Sequence, residues 1–224
     1  MAVGCAPLPL RNAILGSPDK EQASRRTFDR WAGSFDRSRL LSAWRAETLS
    51  MLELAPDDRF LDVACGGGRL VLQAAPRVSR AAGIDISPRM IERARARVST
   101  DAATGETPVD LRVGSAQQLP FDDADFTVVA CTAALHHFPE PAAAVAEIAR
   151  VLAPGGRALV ADLCSDTPPM RGLDAVLRRF EAGHVGFQES RGIGGLLAGA
   201  GLSVPRTRHR LSRTYALVLG EKPL

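Results

Sequence analysis

Apolar runs of strand length alternate along this chain with amphipathic stretches of helical period. Phe60-Leu61-Asp62-Val63-Ala64-Cys65 breaks into Gly66-Gly67-Gly68 and resumes with Leu70-Val71-Leu72, the pattern of a strand, a tight turn and a helix start. Ala81 to Asp85 predicts a second strand, Val109 to Val113 a third, Asp125 to Cys131 a fourth and Arg157 to Leu163 a fifth. The fourth run is uninterrupted and apolar, so it belongs in the middle of a sheet. Ser87-Pro88 suits a helix start, with serine as the N-cap and proline at the first position, and Met90, Ile91, Ala94 and Val98 then share one face. Glu140 to Leu152 reads as an amphipathic helix stopped by Pro154-Gly155-Gly156. Leu202 to Leu211 and Thr214 to Gly220 read as two strands joined by a short turn. The prediction is an α/β doubly wound sheet, mostly parallel, with an antiparallel edge hairpin at the C-terminus.

The flanks are less regular. Residues 1–26 mix proline, glycine, serine and charges without a period, which predicts a loose arm or part of a lid. Leu41, Trp44, Thr48 and Met51 then recur at helical spacing, so 27–55 are expected to form cap helices on a single domain spanning 27–224. Beyond Asp162 the pattern loosens into a helix from Met170 to Glu181, a loop at Gly183 to Phe187 and a glycine-rich helix from Glu189 to Gly201. Residues 164–190 are expected to lid a pocket.

Composition narrows the class. The 224 residues are 46% hydrophobic and 24% charged, within the ordinary range for a chain with one good core. A formal charge of +3 gives no case for nucleic acid or an anionic membrane as partner. No apolar run approaches the ~20 residues of a membrane span, and Met1 to Leu10 lacks the pattern of a signal peptide. Cys5, Cys65, Cys131 and Cys164 are widely spaced, which suggests neither a disulfide framework nor a zinc site, and makes a reducing cytoplasm the simplest setting. Cys65 and Cys131 read as small packing residues.

The chemistry gathers at the strand ends. Asp85 stands nineteen positions after Gly66, the spacing at which a carboxylate at the second strand end accepts from ribose hydroxyls. Asp62 precedes the glycine turn, where it disfavours phosphate and suits a cation such as the ammonium end of an amino acid. Asp62 to Gly68 resembles the first motif of class I S-adenosylmethionine-dependent methyltransferases, usually Asp-x-Gly-x-Gly-x-Gly. Ala64 stands where that family most often has its first glycine, which the fold accepts if φ there stays negative. Gly114-Ser115-Ala116-Gln117-Gln118-Leu119-Pro120-Phe121 resembles the family's Gly-Asp-Ala-x-x-Leu-Pro-Phe segment, with Ser115 in place of the aspartate whose carboxylate accepts from the adenine amino group. Arg150 to Arg157 resembles its Arg-Val-Leu-x-Pro-Gly-Gly signature, and Phe28 to Asp36 its aromatic cap segment.

The resemblance implies a Rossmann-like fold and S-adenosylmethionine as cofactor, with S-adenosylhomocysteine as product. It implies Asp62 at the amino-acid end, Asp85 at the ribose, Ala64 and Gly66 at close backbone approach, and Ile86, Met90, Ser115, Ala116 and Gln117 around the adenine. Thr132, at the tip of the fourth strand, should face cofactor and acceptor together. Within the class the chain is most similar to the ubiquinone and menaquinone biosynthesis C-methyltransferases and to small-molecule relatives with a His-His-Phe-Pro-like segment. Phe28, Phe35, His137 and His184 are then expected in the pocket of a small-molecule acceptor, methylated at oxygen or carbon. For Phe28 and Phe35, core packing is the competing reading.

Methyl transfer is an in-line displacement that proximity and exclusion of water can largely carry. If the acceptor is a phenol or an acidic carbon, a base helps, and His136, His137 and His184 are the candidates, the first two foremost. The competing reading has one ring bonding backbone and the other packing. No metal is expected, since adjacent histidines on a loop do not share a helical chelating face and no carboxylate or cysteine partner is apparent. His209 is expected to be exposed on an edge strand.

Three other readings compete. A nicotinamide-dependent oxidoreductase needs a G-x-G-x-x-G turn, absent here, and its short-chain type needs a Tyr-x-x-x-Lys pair, whereas the sole tyrosine, Tyr215, has Lys222 seven positions on. A non-catalytic cofactor-binding or regulatory module is kept open by Ala64 and Ser115. An RNA or protein methyltransferase finds no basic run interleaved with aromatics. Monomer and homodimer both remain open.

Overall fold

A computed structural model describes residues 17–31, 39–100, 107–181 and 183–224. Seven strands among them form one sheet: β1 (Arg59–Val63), β2 (Arg80–Asp85), β3 (Val109–Val113), β4 (Phe126–Thr132), β5 (Leu152–Leu163), β6 (Ser203–Arg210) and β7 (Tyr215–Glu221). Their order is β3-β2-β1-β4-β5-β7-β6. β1 to β5 run parallel, whereas β7 is antiparallel to β5 and β6 to β7. The chain leaves β1 on one side to form β2 and β3 and crosses to the other side at β4. A crevice opens beyond the carboxyl ends of β1 and β4, where ligands bind in sheets of this kind.

The described helices are α1 (Ser17–Trp31), α2 (Arg39–Leu52), α3 (Arg69–Ala74), α4 (Pro88–Val98), α5 (Pro141–Val151), α6 (Pro168–Phe180) and α7 (Ser190–Gly199). Alternation along each strand divides the apolar residues between two layers. Leu61, Val63, Ile84, Val129 and Val160 pack with Val145 and Ile148 of α5 and Ile193 and Leu197 of α7. Phe60, Ala81, Val128 and Leu159 pack on the other face with Met51 and Leu52 of α2, Val71 of α3 and Ile91 of α4. Burying one such large side chain stabilises by roughly 1.5–3 kcal/mol, so continuous apolar runs make the sheet the rigid platform. The doubly wound sheet with its antiparallel edge hairpin is thus the observed fold.

Two boundaries differ from the sequence expectation. α1 begins at Ser17, inside the stretch read as an arm. Its inward residues include Ser24 and Thr27, both buried, so the face it packs carries too few apolar side chains to show a period. β5 begins at Leu152 instead of Arg157 because Leu152 already pairs with Phe126, and Pro154-Gly155-Gly156 forms an irregularity inside the strand pairing instead of a turn before it. A side chain at Gly156 would stand 2.8 Å from the carbonyl oxygens of Ala153 and Thr127, which is why glycine sits there. Residues 1–16 of the expected arm, with Cys5, and Phe35 of the expected pocket lie outside the described residues.

Candidate active site

The turn after β1 is built from three residues with positive φ: Ala64 (+59°), Gly66 (+54°) and Gly68 (+76°). The expectation of a negative φ at Ala64 is therefore overturned. Its Cβ lies in the left-handed region, at a cost of roughly 1–2 kcal/mol that a glycine would not incur. A Cβ on Gly68 would stand 2.7 Å from that of Ala94, so this glycine lets the start of α3 pack on α4. Gly66 differs: nothing lies within 4 Å of where its Cβ would be, and the turn there borders open cleft.

Asp85, at the end of β2, holds this turn. Its Oδ2 accepts from the Gly66 N–H at 2.8 Å and its Oδ1 from the Ser87 N–H at 2.9 Å, so one carboxylate ties the glycine turn to the start of α4. Ser87 caps that helix, its hydroxyl oxygen accepting from the Met90 N–H at 3.1 Å and its hydroxyl donating to Asp29 of α1 at 2.6 Å. Burial pushes the Asp85 carboxyl up to about 6 against the pull of its two backbone bonds, and the nearby Asp29 charge adds to the rise. Each oxygen keeps a lone pair for a further donor.

A cleft of about 690 Å³ opens in front of the turn. Ala64, Gly66, Asp85, Ile86 and Met90 form one wall; Ser115, Ala116 and Gln117, following β3, form the next. Thr132 and His137 close the β4 side, and Phe28 of α1 covers it. A second cleft of about 480 Å³ shares Ala64, Gly66, Thr132 and Ala133 with the first and reaches Asp62, Trp44, Arg45 and Tyr215. Asp62 is buried there, and its Oδ1 finds no hydrogen-bond partner among the described residues. Burial, with the Asp85 charge added, raises its carboxyl well above the usual range, against the opposing Arg45. A buried carboxylate in that condition is an incomplete site for a cation.

Glu21 and Ser24 were not foreseen in this site, because they precede the boundary drawn at residue 27. Both line the first cleft from α1. Glu21 Oε1 accepts from the Ser115 hydroxyl, and Gln117 Nε2 donates to it at 3.5 Å. The signal available was their helical spacing to Phe28, with Ser24 and Glu21 four and seven positions earlier. A role also unforeseen falls to Arg150, which donates to the carbonyls of Leu119 and Phe121 and so fixes the loop after β3.

The histidines occupy the other end. His136 and His137 lie in a 3₁₀ turn, Leu135–His137, after β4. His136 Nδ1 is 2.6 Å from Asp162 Oδ1, and the same carboxylate accepts from the His136 backbone N–H at 3.0 Å. His137 Nδ1 donates to the Gly183 carbonyl at 2.8 Å, and its ring meets Phe28 edge-on at 4.8 Å. Burial, and then the neighbouring His136, lower the His137 pKa to about 3. His184 is buried behind it, outside the walls of both clefts, with Nε2 2.8 Å from Asp174 of α6. The expectation that no carboxylate stands near the paired histidines is thus corrected: Asp162 does, while Asp174 serves His184. His209 is half-buried, not simply exposed, with Nε2 2.9 Å from the Ser190 hydroxyl and 3.2 Å from Asp166.

Residues 61–160, which hold the glycine turn, Asp85 and the paired histidines, match the family model described as a methyltransferase domain. The chain carries a methyltransferase domain. It is 36% identical over 148 residues to a demethylmenaquinone methyltransferase of Symbiobacterium thermophilum, covering 62% of this chain and 58% of that one. It is 34% identical over 160 residues to a 27-O-demethylrifamycin SV methyltransferase of Amycolatopsis mediterranei, covering 71% and 52%. The chain thus spans little more than half the length of these relatives. Among solved structures, the geranyl diphosphate C-methyltransferase of Streptomyces coelicolor A3(2) superposes with a TM-score of 0.75 at 17% identity, over 91% of this chain and 98% of that one. The likeness places the methyltransferase domain in the same fold. No described helix is long and apolar enough to cross a membrane.

Proposed function

We propose that this protein transfers the methyl group of S-adenosylmethionine to an oxygen or carbon atom of a small molecule. The observation that carries the reading is Asp62: a buried carboxylate oxygen without a partner, one strand from the Asp85 carboxylate and across a glycine turn from it. The residues fit the donor. Asp62 suits its ammonium group, Asp85 its ribose hydroxyls, and the two joined clefts a ligand that runs past Gly66 from one to the other. When bound, S-adenosylmethionine supplies an electrophilic methyl group on a sulfonium sulfur.

The chain's own part is placement. Ile86 and Met90 offer an apolar surface for a flat ring, while Ser115, Gln117 and Glu21 face its polar edge. Asp85 reaches the ribose already oriented by its bonds to Gly66 and Ser87, so little ordering remains to be done on binding. Phe28 and His137 exclude water from the far end. With Nδ1–H committed to the Gly183 carbonyl, His137 Nε2 carries a lone pair, and its low pKa keeps the ring neutral near pH 7. It is suited to accepting a hydrogen bond from an acceptor hydroxyl. His136 has the carboxylate orientation that a general base needs, from Asp162. The buried free thiols of Cys65, Cys131 and Cys164 agree with a reducing, cytoplasmic setting.

Calorimetric titration tests the reading. S-adenosylmethionine and S-adenosylhomocysteine should bind with micromolar affinity, Asp85→Ala should lose both, and NADH and NADPH should give no heat. Absence of sulfur-nucleoside binding by folded protein would overturn it.

A further inference from the structure

The fold brings together three histidines that the sequence keeps apart: His184 arrives from the segment after α6 to stand beside His136 and His137. Their ring centroids are 4.0, 5.5 and 6.1 Å apart, and one potential ligand atom from each lies within 4.8 Å of the others. All three are buried. The rings are also held in a particular way. His136 Nδ1 is bonded to the Asp162 carboxylate, His137 Nδ1 to the Gly183 carbonyl and His184 Nε2 to the Asp174 carboxylate. The nitrogens left to bind something are therefore Nε2 of His136, Nε2 of His137 and Nδ1 of His184.

Histidines that ligate a metal ion almost always have the other ring nitrogen donating to a carboxylate or a backbone carbonyl, which fixes the tautomer and makes the ligating nitrogen more basic. Here every ring has such a partner, and the partners are themselves fixed. Asp162 also accepts from the backbone N–H groups of His136 and Leu163, and Asp174 from that of Phe187. A cluster serving only to fill space would need neither three separate acceptors nor their buttressing.

We infer that His136, His137 and His184 form a binding site for one divalent transition-metal ion. Three neutral imidazoles suit zinc, cobalt, nickel or copper and not magnesium or calcium, which take oxygen ligands. A three-histidine set leaves a fourth coordination position open. His137 belongs to the cleft wall beside Phe28, so the ion stands at that end of the cleft. Around a zinc ion the ligating nitrogens sit about 3.4 Å apart, as ~2.1 Å bonds at tetrahedral angles require, so the rings must draw together from their present separation. The segment that carries His184 has glycine at 183 and 186, on either side of it, and can follow.

The inference does not depend on the methyl donor, and its test keeps the two apart. With the ion bound, the Nε2 lone pairs of His136 and His137 are spent on it, and the two rings act as ligands in place of the hydrogen-bonding and base roles drawn for the metal-free protein. Full-length protein, stripped with chelator, is titrated with Co²⁺ and Zn²⁺ while S-adenosylhomocysteine binding is followed separately. One equivalent of Co²⁺ should bind with the intense visible bands of tetrahedral coordination, X-ray absorption should report three imidazole nitrogens, and Zn²⁺ should raise the unfolding temperature. His184→Ala and the milder His184→Gln should lower metal affinity at least a hundredfold, with S-adenosylhomocysteine affinity within threefold of wild type, whereas His209→Ala should leave the metal bound. No stoichiometric binding, octahedral oxygen-rich Co²⁺, or binding that follows His209 would each overturn the site. The X-ray absorption result on the wild type decides even if both His184 variants fail to fold.

Discussion

The carboxylate of Glu21 accepts a hydrogen bond from the hydroxyl of Ser115, a residue 94 positions further along the chain. Ser115 stands where methyltransferases of this type usually have an acid, and Glu21 brings a carboxylate to the same place from α1. If Glu21 serves the adenine in this way, Glu21→Ala should weaken S-adenosylhomocysteine binding by about tenfold, the scale of one lost charge-assisted hydrogen bond. Ser115→Asp in the Glu21→Ala background should restore most of it, whereas Ser115→Asp alone sets two acids against each other and should not tighten binding. Calorimetry on the three variants reads each outcome.

The turn residues separate strain from function. Ala64→Gly removes a left-handed alanine, offset in part by the freer unfolded chain, and should raise stability by up to about 1 kcal/mol with cofactor affinity kept. Gly68→Ala drives a methyl group against Ala94 and should destabilise by roughly 2–3 kcal/mol. Gly66→Ala meets no protein atom, so it should cost only about 1 kcal/mol of stability while reducing S-adenosylmethionine affinity by more than tenfold. Urea denaturation beside calorimetry distinguishes the three.

Asp85 makes stability depend on pH in a direction opposite to the usual carboxylate. Its folded pKa, about 6, lies above the ordinary value of 3.8, so the folded state holds the proton more tightly than the unfolded one. The resulting stabilisation is complete below pH 3.8 and disappears as the pH rises to about 6, an effect on the order of 3 kcal/mol. Asp58, Glu147, Asp166 and Asp174 have lowered pKa values and act the other way, losing their stabilisation as the pH falls. The test is therefore the stability difference between wild type and Asp85→Asn from pH 4 to 7. It should move against wild type as the pH rises, and a flat difference would count against the shifted pKa.

Tyr215 stacks on Trp44 at a centroid distance of 3.9 Å, yet its hydroxyl is buried without a partner among the described residues. Tyr215→Phe should leave the ligand-free protein as stable as wild type or up to about 1 kcal/mol more so, because an unsatisfied polar group is removed. The same variant should bind S-adenosylmethionine three- to tenfold more weakly, since Tyr215 lines the second cleft with Asp62. Thermal unfolding with and without ligand measures both effects.

What the sequence made legible follows from where local chemistry decides the structure. The β1 turn, Asp85 at the end of β2 and Ser87-Pro88 at the start of α4 are each dictated within a few residues, and all lie where their spacing placed them. Ala64 defeated the reading because its φ is set by the turn around it and not by its own preference. Glu21 was hidden because the buried side of α1 is held by hydroxyls and a carboxylate, which leave no hydrophobic period. His184 and its partner Asp174 meet only through the packing of α6 against the loop after it, so no spacing announces them.

α1 is the first described helix in the chain, yet what it touches is made much later: Ser87, Ser115 and His137. During synthesis it emerges before these partners, and its docking surface is complete only once the ends of β2, β3 and β4 are in place. This side of the cleft thus joins a segment made early to surfaces made later. A shortened chain starting after Trp31 should keep the sheet and the glycine turn while losing the side of the cleft formed by Glu21, Ser24 and Phe28.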